Sequence, residues 1–429
     1  MENTDVKKTT LHTYHVEQGA HMALFGGYDM PLWYPVGAKA EHLAVVESAG
    51  IFDTSHMSVL TVQGAGSRAV LQHCFTKDLE RAIGPKKLAL PVGRCVYGLF
   101  LLEDGSVLDD ALVYMLAENS YMVVVNAGMG GSVVSHLENH AADGVDIADC
   151  TASVGKMDLQ GPFSAVILKK IIKNPEDLFA PLPYFSFKGG TADCPTATEV
   201  ELLDGTSFMV SRTGYTGEFG FEFFIEREKL VQLWQIVLAA GAEYGLIACG
   251  LASRDSLRAG AVLPLSHQDI GAWPFTNTPW PFALPYGEDG NFTKDFVGAD
   301  VVSEPCTDDF TYPFAGFDPR KIQVEEDTVV VDDEGETIGH VLTCTTDMAI
   351  GRVDGQIYSI TSPVEKGCPQ DFSPRGLSCG FIRVTCPLEI GDEVTLRCGK
   401  RKIKVEIRGD IRPDRTARKA AKSMLLVEK

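Results

Sequence analysis

The chain has 429 residues, 45% of them hydrophobic, enough for two or three domains with cores of their own. Its formal net charge of −20 argues against nucleic acid and against an anionic membrane surface as main partners. No apolar run approaches the roughly 20 residues of a membrane span, and the opening MENTDVKKTTLHTYHVEQ lacks the apolar core of a secretory signal, so the expected location is the cytoplasm.

Residues 1–50 read as a short polar arm, an apolar turn-rich segment and a helix within PVGAKAEHLAVVESAG that stops at Gly50. His12 and His15 can share a helical face, but no carboxylate pattern accompanies them and no metal is expected. Residues 51–150 predict a strand, a helix over GAGSRAVLQHCF, a hairpin, a strand and another helix. In LFLLEDGSVLDDALVYML the turn signal Glu103-Asp104-Gly105 makes Asp109 and Asp110 strand residues with side chains on opposite faces. At most one of them enters a given pocket, so the pair is not an acid/base couple. Either it guards a sheet edge, or one Asp, held among Val107, Leu108, Leu112 and Val113, is desolvated and can share a proton with a substrate amine.

Residues 151–260 repeat the rhythm, with EREKLVQLWQIVLAAGAEYG as an amphipathic helix presenting Leu230, Trp234 and Leu238 on one face. Before it lies SRTGYTGEFGFEFFI, from Ser211 to Ile225. There Phe221, Phe223 and Ile225 share one strand face and Glu222 takes the other. A flat polar heterocycle needs stacking surface, a hydroxyl and a carboxylate for its ring N–H groups, and Tyr215 and Glu222 supply these together. The competing reading is a polar strand face in water.

From Ala272 the segment AWPFTNTPWPFALPY sets Trp273, Phe275, Trp280, Phe282 and Tyr286 among prolines. Such a stiff aromatic loop can line a pocket for a cationic methyl donor, at about 0.5 to 2 kcal/mol per well-placed ring, or close a domain seam as a lid. Residues 315–410 are short, strand-like and Gly/Pro-bounded, which predicts a small β-barrel or sandwich, and RPDRTARKAAKSMLLVEK reads as a solvated basic end. The 11 cysteines form no CxxC pair and read as reduced thiols. The 10 histidines form no HExxH, and neither a GxxxxGK[ST] loop nor a GxSxG elbow occurs.

An ordered series of words resembles the folate-binding aminomethyltransferase family, which includes the T-protein of the glycine cleavage system and tetrahydrofolate-dependent demethylases such as dimethylsulfoniopropionate demethylase. The words are GGYDMPLWY from Gly26, AGIFDTSHM from Ala49, DDALVY from Asp109, VVNAG from Val124, QGP from Gln160, SRTGYTGEFGFE from Ser211, GLASRDSLR from Gly250 and KDFVGAD from Lys294. A thinner match continues through GHVLT at Gly339 and GFIRV at Gly380. The resemblance implies an α+β fold of three domains around a central opening, with a small C-terminal β-barrel domain. Residues 1–50 and 151–260 would form the folate-binding regions, 51–150 the domain carrying Asp110, 261–314 an aromatic connection, and 315–429 a β-rich domain. That last domain carries about twenty residues more than the family usually has, near 345–375, expected as a structured excursion.

The resemblance further implies tetrahydrofolate as cofactor, with Asp110 near its reactive N5, Tyr97 as a second catalytic candidate, Tyr215 and Glu222 on the pterin, and Asn126 and Arg254 lining or supporting the site. Simpler roles compete: Tyr97 as a strand aromatic, Asn126 as a helix N-cap, Arg254 as the partner of Asp255. In LRAGAVLPLSHQD, from Leu257 to Asp269, an acidic position of the family has become Ala259 or Gly260. That departure, with Trp273, Trp280 and Phe282 as donor-pocket candidates, favours a methyltransferase that demethylates a small S-, N- or O-methylated substrate. The alternatives are the T-protein reaction itself, for which Lys400, Arg401, Lys402 and Lys404 offer a docking patch for a lipoyl carrier, and a folate-binding regulator without catalysis.

Overall fold

The computed structural model describes residues 6–427. It is a mixed helix-and-sheet fold. One six-stranded sheet runs in the order Phe187–Lys188, Met209–Ser211, Gly220–Glu226, Val154–Gln160, Gly50–Asp53, Ile247–Cys249. The alternation in FEFFI plays out as read: Phe221, Phe223 and Ile225 are fully buried in a core with Leu230 and Trp234 of the helix Leu230–Gly241 and with Ile167 and Leu168 of the helix Ser164–Ile171. The other face of this sheet carries Lys156, Asp158 and Glu222. Lys156 and Asp158 are two apart on one strand, and Asp158 stands directly opposite Glu222 on its neighbour.

A second, antiparallel sheet has the order Cys95–Leu101, Val107–Ala117, Ser120–Val125, Ser58–Gln63, Asp146–Asp149. Its core packs against the helices Ser67–Cys74 and Gly130–His140. The expected hairpin turn at Glu103 to Gly105 joins its first two strands. Pairing passes from Phe100↔Asp109 to Leu101↔Val107, so Leu108 is an extra, bulged residue immediately before the two aspartates. The helix after VVNAG is capped by Met129, so Asn126 is not its N-cap.

The expected C-terminal barrel is present and closed, in the order Phe310–Gly316, Leu377–Val384, Thr337–Asp347, Val329–Val331, Glu393–Cys398, Arg401–Ile407. The segment expected to be a structured excursion contains a hairpin of Ile350–Val353 and Gln356–Ser359, rooted by Ala349 and Ile350, both fully buried. The basic end does not behave as a solvated tail. Arg412 is buried between Glu218 and Asp347, and Thr416 donates to the Glu218 carboxylate, so the chain end is clamped onto the loop before Glu222. Among the described residues no helix is long and apolar enough to cross a membrane.

Candidate functional site

All these units contribute to one cavity of about 2150 Å³. That exceeds the roughly 300–1,000 Å³ of an ordinary small-molecule pocket and leaves room for two reactants. Tyr97, Asp110, Asn126, Tyr215, Glu222 and Arg254 all line it, although they are spread over residues 97 to 254 of the sequence.

Asp110 sits in a nest of neutral donors beside a second acid. Its Oδ2 accepts from the Tyr97 hydroxyl at 2.9 Å and its Oδ1 from the Asn126 amide at 2.6 Å. The same amide nitrogen also donates to Asp109 Oδ1 at 2.7 Å, while the Asn126 backbone N–H donates to Asp109 Oδ2 at 2.8 Å. Asp109 is fully buried and is not part of the cavity lining, so only one of the pair faces the opening, as the strand period requires. Burial pushes the Asp110 carboxyl up and the Asp109 charge adds to it; the hydrogen bonds from Tyr97 and Asn126 and the nearby His267 pull back. The balance lies at about 7. His267, whose Nε2 is 3.3 Å from Asp109, is held above the ordinary imidazole range chiefly by that hydrogen bond.

Glu222 sits in the opposite kind of nest. Lys156 Nζ lies 2.8 Å from Glu222 and 2.8 Å from Asp158, and Arg254 donates to the other Asp158 oxygen at 2.8 Å. Thr213 donates to Glu222 at 2.5 Å. Burial alone would raise the Asp158 carboxyl, but Lys156 and Arg254 outweigh it and hold it below the ordinary range. Arg254 therefore does not pair with Asp255, which is taken by Arg258. Its guanidinium instead lies 4.9 Å from the Tyr215 ring centroid, and the Tyr215 hydroxyl is spent on the Pro264 carbonyl, leaving the ring as its surface for a ligand.

His56 is a lining residue that was not singled out from the sequence. It is buried, and its Nδ1 has no hydrogen-bond partner. Burial pushes its imidazole down to about 4, opposed by Asp53 and aided by Arg254 and Lys156, so it is neutral.

The aromatic segment divides. Phe282 is 52% exposed on the cavity rim, 5.8 Å from the Tyr97 ring. Trp280 borders the cavity but is 1% exposed, donates Nε1–H to the Val262 carbonyl and packs on Phe381 of the barrel. Trp273 does not line the cavity, contrary to its expected place in a donor pocket. A bridge between Ser106 and Pro274 pins the chain to the hairpin turn, and the Trp273 ring turns outward to lie 4.3 Å from the Arg383 guanidinium.

The departure at Ala259 and Gly260 has a structural counterpart. A side chain on Gly260 would meet Asp347 Oδ2 at 1.8 Å, so this space is filled by an acid from the root of the extra hairpin. Asp347 is buried, 2.9 Å from His42 and paired with Arg412; burial raises its pKa, but Arg412 and the His42 contact outweigh it and hold the carboxyl well below the ordinary range. Beyond it, Thr361, Pro363 and Lys366 of the same excursion reach the cavity wall.

Residues 11–274 match the family described as GCVT N-terminal domain. An aminomethyltransferase of Geobacillus sp. (strain WCH70) is 34% identical over 371 residues, covering 86% of this chain and 95% of that one. The aminomethyltransferase of Bacillus subtilis (strain 168) is 30% identical over 370 residues, with 86% and 95% covered. The crystal structure of glycine cleavage system aminomethyltransferase T from Bartonella henselae superposes with a TM-score of 0.71 at 25% identity, covering 94% of this chain and 97% of that one.

Proposed function

The chain belongs to the folate-binding aminomethyltransferase family, and from that premise we propose that it transfers an aminomethyl group from a lipoyl-bearing carrier protein to tetrahydrofolate, releasing ammonia and methylene-tetrahydrofolate. Relatives named aminomethyltransferase that match over most of both chains favour this reading over the demethylase expected from the aromatic segment.

The observation that carries the mechanism is Asp110, a cavity-facing carboxyl poised at about 7. Forming methylene-tetrahydrofolate makes two C–N bonds to folate, breaks the C–N bond to the amine and the C–S bond to the lipoyl arm, and moves the two folate N–H protons to the ammonia and the lipoyl thiol. A group poised in this way can take one such proton and hand it to a leaving group, which a fully ionised or fully protonated acid does less well. Tyr97 and Asn126 fix its orientation through both oxygens. Glu222, facing Lys156, is positioned to accept ring N–H groups, and the Tyr215 face supplies stacking surface for a planar heterocycle. Lys400, Arg401 and Lys402 are exposed on the barrel and offer a local basic surface to an acidic carrier, whereas Lys404 is already paired with Glu393.

A second reading, demethylation of a small methylated donor, is favoured by the exposed Phe282 ring on the rim and by the acid supplied from Asp347 in place of the family's own. One experiment separates them: incubation with tetrahydrofolate and either aminomethylated lipoyl carrier or a panel of betaines, sulfoniums, methylamines and aryl methyl ethers. Methylene-tetrahydrofolate formed only with the carrier supports the proposal. Methyl-tetrahydrofolate formed from a panel member replaces it with the demethylase, and folate binding without either product leaves a regulator.

A further inference from the structure

Away from the cavity, the helices Ser67–Cys74 and Gly130–His140 bring Cys74, His136 and His140 together, with one possible ligand atom from each lying within 4.8 Å of the others. We propose that this cluster is a zinc site, with Cys74, His136 and His140 as its protein ligands and Glu103 or water as the fourth.

The arrangement has the features that zinc requires. His136 and His140 are one helical turn apart and project from the same face. Nδ1 of His140 is 2.8 Å from the His136 carbonyl oxygen, which can only accept, so the proton resides there and Nε2 presents its lone pair. A backbone carbonyl fixing the far nitrogen of a ring is the usual support of a metal-bound histidine. His136 is 8% exposed, and its Nε2 has no hydrogen-bond partner, an unpaired buried polar atom that the packing does not explain. Glu103, on the hairpin turn, has an oxygen 3.9 Å from His140 Nε2 and is otherwise exposed.

Tetrahedral zinc with Zn–N about 2.0 Å and Zn–S about 2.3 Å places its ligand atoms about 3.3–3.6 Å apart, so closing from the observed spread takes rotamer adjustments of about 1 Å. A thiolate with two imidazoles selects a borderline-soft ion over magnesium or calcium. Metal bound here would tie two helices to the turn that leads into the Asp109-Asp110 strand.

The test uses tag-free, full-length protein, stripped with chelator, kept reduced and titrated with Co²⁺ as a spectroscopic stand-in for zinc. A thiolate-to-cobalt charge-transfer band with tetrahedral d–d intensity, saturating at one ion per chain and bleached by Zn²⁺ but not Mg²⁺, is expected. His140→Gln, at a partly exposed position, should keep the metal-free melting temperature and weaken Co²⁺ binding by about 100-fold or more. Cys74→Ser should abolish the charge-transfer band. Cys398→Ser is the control for the more exposed group of Glu325, Asp327 and Cys398, and should leave the band intact. Absence of the band in the native protein, or its persistence in both His140→Gln and Cys74→Ser, overturns the site.

Discussion

Two acidic nests on the walls of one cavity are handled in opposite ways. Asp110 and the Asp158–Glu222 pair share burial and hydrogen-bond donors, but Asp110 has Asp109 as its nearest charge whereas Asp158 and Glu222 have Lys156 and Arg254. Burial acts in the same direction in both. A unit charge at about 4 Å is worth about 4 kcal/mol at an effective dielectric of 20, or about three pKa units, so the sign of the neighbour decides. Under the proposed function, the cation-bearing nest, in which two acids meet two cations, holds Glu222 for recognition, and the acid-bearing nest moves a proton. Environments that push similar groups apart in this way mark the division between binding and chemistry.

The largest effect expected from this division is on turnover. Asp110→Asn should lower kcat by about 10²- to 10⁴-fold, the usual worth of a positioned acid or base, with tetrahydrofolate affinity by calorimetry nearly unchanged. Glu222→Gln should do the reverse, weakening folate more than it slows the reaction. Equal losses in kcat and affinity for Asp110→Asn would erase the distinction between the nests.

Lys156→Met probes the other nest through stability. It leaves Asp158 and Glu222 directly opposed across two strands without their shared cation, and removing one member of a buried ionic group costs about 3–5 kcal/mol. The pH dependence should also change sign. In the native protein the depressed Asp158 pKa contributes stability above its unfolded value near 4, lost as pH falls through the lower folded value. In the variant the two acids have raised pKa values, so urea denaturation should show greater stability at pH 5 than at pH 8. Equal stability at both values would mean that Arg254 alone neutralises the nest.

Asp109→Asn sharpens the comparison without touching the cavity. It removes the like charge behind Asp110, so the folded Asp110 pKa falls from about 7. If ionised Asp110 is the active form, the acid limb of kcat/KM against pH moves down by about one unit. Loss of the Asp109 partner also lowers the His267 pKa and weakens its pull on Asp110, which opposes part of this shift. A limb that stays in place would assign the titration to another group.

Half of this contrast can be read in the sequence, and the reason is periodicity. DDALVY shows one aspartate per face, and FEFFI shows a carboxylate opposite a wall of apolar side chains, so Asp110 and Glu222 announce themselves locally. Lys156 and Asp158 do not, because VGKMDLQ reads equally as an edge with its polar face in water; only the cavity on that side makes the residues matter. Asn126 reads from the sequence as a site position or a helix N-cap, and its hydrogen bonds to both aspartates appear only once the adjoining strands are paired. Asp347 and Arg412 were invisible as a pair, since two distant segments must close before either has a partner. Within the aromatic segment, composition cannot tell the buried Trp280 from the exposed Phe282. The partners decide: Trp280 finds the Val262 carbonyl and the Phe381 ring, whereas Phe282 meets the Tyr97 ring at the rim.

The smallest expected effect follows from that last distinction. Phe282 is half-exposed and rests only its ring edge toward Tyr97, so Phe282→Ala should change the melting free energy by no more than about 0.5 kcal/mol, as for a surface substitution. Tyr97 in turn donates to Asp110, so loss of the ring opens the rim beside the proton carrier without altering either nest. With a lipoyl carrier the arm enters past this rim, and removing a hydrophobic wall of about one ring should raise KM several-fold while kcat holds. With a small methylated cation the same ring would be a direct cation–π contact worth about 0.5 to 2 kcal/mol, and the loss of kcat/KM would then track donor charge across the panel. A charge-independent rise in KM keeps Phe282 as part of the entrance. A loss confined to cationic donors would make it a recognition element and shift weight to the demethylase reading.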